Sequence, residues 1–200
     1  MLREWDCMIA WICRLPWLTL SLAGLAIGLY AVAGPAADAA VYDRAAVADG
    51  EWWRLLSGHW VHGDTGHLAW NLTALLLLGS IVESSRRWLL PLGLLAGSIG
   101  VDLWLWTGLP GIVRYCGLSG ALNTLLILAL WTTWKRSGHW LVWAIGLGSL
   151  LKILVEMADG RALLTQTAWP SVPSAHLAGW LVGCLLVALN RWRPARPGWA

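Results

Sequence analysis

The 200-residue sequence has no phenylalanine, and only 12% of its residues are charged. An ordinary soluble domain carries roughly twice that share of charge, so the composition excludes that class. With 58% hydrophobic residues and a mean hydropathy of +0.61, the chain reads as a membrane protein. Its formal charge is only +3 and no basic patch is interleaved with aromatics, which excludes nucleic acid as a partner. C-x-x-C spacing is missing too: Cys7, Cys13, Cys116 and Cys184 lie in or beside apolar runs and read as packed thiols, not zinc ligands or a disulfide framework. H-E-x-x-H is also absent. His59, His62 and His67 therefore lack the carboxylate and spacing of a metalloprotease or metal-transport site, and neither a metal nor a cofactor is expected.

Tryptophan takes the place of phenylalanine. Among the 18 are the pairs Trp52/Trp53, Trp104/Trp106, Trp131/Trp134 and Trp140/Trp143, which flank apolar runs. An indole combines a large apolar ring with one N–H donor, so these pairs read as belts at a membrane interface. Apolar runs near the roughly 20 residues that cross hydrocarbon predict helices at about 15–34, 66–84, 87–107, 117–135, 138–157 and 174–191. The expected fold is all-α, a polytopic bundle of six transmembrane helices in one domain spanning 1–200, with a long outer loop at 35–65. The first run is followed by "PAADAA", which resembles a signal-peptidase site; its length and the acidic Glu4 and Asp6 before it favour a retained span.

Charge sets the orientation. Arg3, Arg14, Arg86, Arg87, Lys135, Arg136, Arg191, Arg193 and Arg196 fall on one side of this arrangement, against Arg44, Arg54, Arg114 and Arg161 on the other. The positive-inside rule then places both termini in the cytoplasm and the long loop outside. The second, fourth and sixth spans all begin at the outer end.

At that shared depth lie the unusual polar residues: His62, His67 and Asn71 entering the second span, Ser119 entering the fourth and His176 entering the sixth. His67 and Asn71 are i and i+4, and His176, Gly179 and Gly183 are i, i+3 and i+7, so each set shares a helix face. Gly179 and Gly183 form a G-x-x-x-G, and Gly117 and Gly120 thin the chain around Ser119, so close backbone approach is sterically open. Taken singly, each has a plainer explanation. A serine hydroxyl packs helices, a histidine at a helix end sits at the interface, and an asparagine bonds a neighbouring helix.

In order and spacing, the set Trp53-Arg54, His62-x4-His67-x3-Asn71, Glu83, Gly117-Leu118-Ser119-Gly120 and Ala175-His176 with Gly179 and Gly183 resembles the rhomboid intramembrane serine proteases across essentially the whole chain. The resemblance implies a serine endopeptidase with Ser119 as nucleophile and His176 as base, and His67, Asn71 and the Ser119 N–H at the oxyanion. It implies structural support from His62, Trp53, Arg54, Glu83, Gly117, Gly120, Gly179 and Gly183. The stretches "YDRAAVADGEWWRLLSGHWVH" and "YCGLSGAL" are similar to the bacterial rhombosortase branch, which is associated with GlyGly-type C-terminal membrane anchors. The implied partners are then a membrane-anchored protein substrate with such an anchor and the lipid bilayer. The implied location is the bacterial inner (plasma) membrane, with the active site toward the outer face.

The alternative is an inactive rhomboid-like protein that binds transmembrane helices; the presence of both Ser119 and His176 counts against it. One departure stands out. Many rhomboids carry a tyrosine that packs on the catalytic histidine where this chain has Asn123, so another group must orient His176. Asp102, Lys152 and Glu156 are not at a spacing that nominates them, and a Ser-His dyad without a third member is expected.

Overall fold

A computed structural model describes residues 15–160, 162–163 and 167–189. Glu4, Asp6, Cys7 and Cys13 lie outside the described residues, as do Arg3, Arg14, Arg161, Arg191, Arg193, Arg196 and the end of the sixth expected span.

In chain order the elements are α1 (Trp17–Ala33), β1 (Tyr42–Asp43), α2 (Arg44–Ala48), α3 (Trp53–Ser57), α4 (Thr65–Ser85), α5 (Leu89–Gly108), β2 (Arg114–Tyr115), α6 (Ser119–Ser137), α7 (Leu141–Asp159) and α8 (Pro173–Leu189). Local chemistry moves the helix ends from the expected runs. Pro16 precedes α1, and Gly34 with φ +78° stops it. Asp64 caps α4, which starts one residue before the expected run. Helices α6 and α7 start later than the expected 117 and 138, because Gly117 at φ +106° and Gly138 at φ +63° hold left-handed backbone that a helix cannot continue through.

By length and composition α4, α5 and α7 can each cross a membrane, while α1 and α8 are apolar helices of 17 residues. The more polar α6 is the central helix. It packs against α4, α5, α7 and α8, and Ala121, Leu125, Leu128 and Thr132 are among its buried residues. Its neighbours are protein rather than lipid, so Ser119 and Thr124 face α8 instead of hydrocarbon. The main core is built by Leu75 and Val82 of α4, Leu90 and Leu94 of α5, and Leu125 and Leu128 of α6.

Glu83 fastens α1 to the far end of α4. Its buried carboxylate accepts the backbone N–H groups of Leu18 at 3.0 Å and Thr19 at 2.8 Å, and the Thr19 hydroxyl at 2.8 Å. These are donors that a helix start otherwise leaves unpaired, and negative charge is favoured there.

The stretch 35–65, the long loop of the expected arrangement, carries short elements held by side chain to backbone bonds. Asp43 caps α2, and β1 pairs antiparallel with β2, Tyr42 opposite Tyr115 and Asp43 opposite Arg114. Arg44 fans over the end of α5, donating to the carbonyls of Trp106, Leu105 and Leu109 and, from Nε, of Ile112. Arg54 donates to the carbonyls of Asp38 and Val41, and the Trp53 indole donates to Ala39 at 3.2 Å. The Gly117 N–H donates to the Gly58 carbonyl at 2.9 Å, tying this folded stretch to the approach to α6.

Candidate active site

The turn before α6 is shaped for glycine. Gly117 adopts φ +106°, and a side chain there would strike the His67 ring. The turn delivers Ser119 as the first residue of α6, where the backbone N–H has no intrahelical partner. Pro173 opens α8 and places His176 in its first turn. Along these two helices the backbones touch. A Cβ on Gly179 would overlap the Gly120 carbonyl oxygen, one on Gly183 would meet Ile127 and the Thr124 carbonyl, and the Thr124 hydroxyl donates to the Gly179 carbonyl at 2.7 Å. In that register His176 Nε2 lies 3.0 Å from Ser119 Oγ.

From the other side, α4 contributes His67 and Asn71. Asp64 accepts the His67 N–H at 2.8 Å as the helix cap, and its second oxygen accepts the Ala168 N–H at 2.8 Å, tying the segment before α8 to the site. Burial alone would raise the Asp64 carboxyl, but the N–H groups of His67, Ala168 and Gly66 and the charge of His67 hold it below the usual range. His67 Nδ1 accepts the Gly63 N–H at 3.4 Å, so in the neutral ring the proton sits on Nε2, the atom facing Gly117. Asn71 Nδ2 donates to the His67 carbonyl at 2.8 Å, and Asn71 Oδ1 is buried without a hydrogen-bond partner among the described residues. His62 is fully buried behind His67, ring edge to ring face at 5.2 Å, and burial pushes its imidazole down to about 4. It is a neutral wall rather than a charged group. His59, His62 and His67 do not converge, because His59 turns away to Asp102.

These side chains border a cavity of about 290 Å³ that His67, Asn71, Ser119, Asn123, Trp169 and His176 help to line. Asn123 does not reach the His176 ring with a hydrogen bond; its Nδ2 donates to the Ser119 carbonyl at 2.8 Å. Tyr115 and Cys116 also border the cavity, and burial raises both, the thiol to about 12. Cys116 therefore stays a thiol.

Two contacts between elements, Glu156 to His176 and His59 to Asp102, were not legible from spacing. Glu156 of α7 is fully buried; its Oε1 accepts from Lys152 Nζ at 2.7 Å and from the Leu163 N–H at 2.8 Å, and its Oε2 lies 4.0 Å from His176 Nδ1. His59 Nε2 lies 3.1 Å from Asp102 Oδ1, and the His59 ring meets Tyr115 edge-on at 5.7 Å, bracing the wall behind Ser119. The available sign was the presence of Asp102, Lys152 and Glu156 inside apolar runs, where ionisable residues are rare and seek partners.

Comparison with known proteins agrees with this architecture. Residues 49–193 match the Rhomboid domain family. Over 150 residues the chain is 30% identical to the Rhomboid protease GluP of Bacillus subtilis (strain 168), a stretch that covers 73% of this chain but only 27% of that relative. No solved structure matches the chain. A family match over most of the sequence, on a bundle of apolar helices, leads to one assignment: the chain is a membrane protein and belongs to the rhomboid family.

Proposed function

We propose that the chain is an intramembrane serine endopeptidase in which Ser119 is the nucleophile and His176 the general base. The observation that carries this reading is the 3.0 Å approach of His176 Nε2 to Ser119 Oγ beside a cavity at the ends of apolar helices. A serine hydroxyl is a weak nucleophile until a neighbouring base takes its proton. Neutral His176 receives that proton as Oγ attacks a peptide carbonyl, then returns it to the leaving amine; water releases the acyl-enzyme by the reverse route. The carbonyl oxygen becomes an oxyanion, stabilised by the Ser119 N–H at the start of α6, by His67 Nε2–H and by the second N–H of Asn71. Removing one such donor typically costs about 3–4 kcal/mol of transition-state stabilisation.

All six long helices cross the bilayer in this reading, with the site toward the outer face and both termini in the cytoplasm. Arg136 donates to the Ser84 carbonyl at 3.1 Å, which puts Lys135 and Arg136 at the same end as Arg86 and Arg87, away from Ser119. A short helix such as α1, 17 residues long, thins the local bilayer and eases the entry of water. The substrate is a membrane-anchored protein of the bacterial inner membrane with a GlyGly-type C-terminal anchor. Support comes from the likeness of residues 42–62 and 115–122 to the rhombosortase branch, and from the ease with which paired glycines leave a helix.

The test uses the full chain in detergent with a fluorophosphonate probe, which labels an activated serine without a known substrate. Wild type is expected to label, Ser119→Ala and His176→Ala to lose labelling, and a chelator to change nothing. Absence of labelling in folded wild-type protein would turn the assignment to a helix-binding protein without activity.

A further inference from the structure

We infer that Glu156 is the positioning residue for His176, the third member of a Ser119-His176-Glu156 relay; this rests on the serine-protease reading above. The two oxygens of Glu156 are used unequally. Oε1 is satisfied by Lys152 Nζ at 2.7 Å and the Leu163 N–H at 2.8 Å, which would suffice for a purely structural role in holding the end of α7. Oε2 is buried with no hydrogen bond among the described residues and faces His176 Nδ1 at 4.0 Å. A buried carboxylate oxygen without a donor is costly.

His176 has the complementary need. For Nε2 to receive the Ser119 proton, the neutral ring must carry its own proton on Nδ1, and that N–H requires an acceptor to fix tautomer and ring plane. Asn123 cannot serve, since its side-chain amide is turned to the Ser119 carbonyl. Closing the 4.0 Å gap by about 1 Å makes a charge-assisted hydrogen bond. A change of rotamer in one side chain of α7 accomplishes this when substrate fills the cavity, which Lys152 and Ile153 also border.

The proton balance is simple. The Ser119 proton moves to Nε2, the Nδ1 proton stays on the ring, and Glu156 accepts a hydrogen bond from it without taking the proton. The carboxylate favours the imidazolium formed in that step, while Lys152, its ion-pair partner, keeps the buried pair neutral overall before reaction.

The experiment measures kinact and KI for fluorophosphonate labelling of the full chain in detergent, in wild type and Glu156→Gln. Glutamine keeps the shape and the Oε1 acceptor for Leu163, so a structural role survives the change. The expected result is kinact per folded molecule lower by about tenfold or more, with KI within about twofold of wild type. Unaltered kinact overturns the inference, and so does a fall in kinact that only tracks a loss of folded protein. Failure of wild type to label is a different outcome, since it removes the protease reading itself. Should Glu156→Gln not fold, the wild-type protein decides through 15N-histidine NMR, with His176→Ala to assign the signal. A His176 ring protonated at Nδ1 supports the inference, and one protonated at Nε2 overturns it.

Discussion

A side chain on Gly179 would occupy the position of the Gly120 carbonyl oxygen, so α6 and α8 meet backbone to backbone just below Ser119 and His176. The 3.0 Å separation of Ser119 Oγ and His176 Nε2 depends on this contact, because both residues lie within one turn of it. Gly179→Ala is therefore expected to push the two helices apart and to abolish fluorophosphonate labelling. Gly148→Ala is the control: a Cβ there meets nothing within 4 Å. That change leaves labelling intact and adds up to about 1 kcal/mol of helix stability. Equal labelling of the two variants would show that the glycine contact does not set the site.

Glu83 argues for a different kind of test, one of stability without chemistry. Its carboxylate holds three donors at the start of α1, far from Ser119 along α4. Glu83→Ala leaves those donors without an acceptor in a buried setting, a loss of about 1–3 kcal/mol. The thermal midpoint should drop, while the rate of probe labelling per folded molecule stays that of wild type. A labelling rate that fell in proportion to the midpoint would mean that α1 also shapes the site.

The legibility of this chain follows the range of the forces involved. The long helices are legible because apolar length is a local signal, while their ends move from the expected runs where Pro16, Asp64 and the left-handed glycines act. Ser119, His67, Asn71 and His176 announce themselves as polar residues at one depth of otherwise apolar runs. The fold of 35–65 is not legible as a whole, since it depends on Arg44 reaching carbonyls of α5 far along the sequence and on a strand pair of two residues. Glu156 is hidden for the same reason. Its local partner Lys152 is one helical turn away, but its approach to His176 exists only once α7 has packed on α8.

Asn71 tests the oxyanion assignment. Its amide is buried and spends one N–H on the His67 carbonyl, leaving a second for the cavity. Asn71→Ala is expected to lower the turnover of a membrane-anchored peptide substrate by about 100-fold or more, with little change in KM, because the interaction is made only as the oxyanion forms. Loss of affinity with turnover unchanged would instead make Asn71 a substrate-binding group.

His62 sets a pH dependence that can be read without substrate. Burial holds its imidazole at about 4 in the folded protein, against 6.5 for the ordinary side chain. Between those values the unfolded chain binds the proton and the folded one does not, so stability rises with pH through the window and falls as pH drops from 6.5 toward 4. The shift corresponds to a loss on the order of 3 kcal/mol across the window. Asp64 acts lower, because its depressed carboxyl contributes stability that is full above the usual carboxylate range and is lost as pH falls from there through its folded value. His62→Phe keeps a ring against His67 but cannot titrate. The thermal midpoint of wild type relative to this variant should therefore slope between pH 4 and 6.5 and be flat above pH 7. Parallel curves for the two proteins through that window would assign the acid sensitivity to another group.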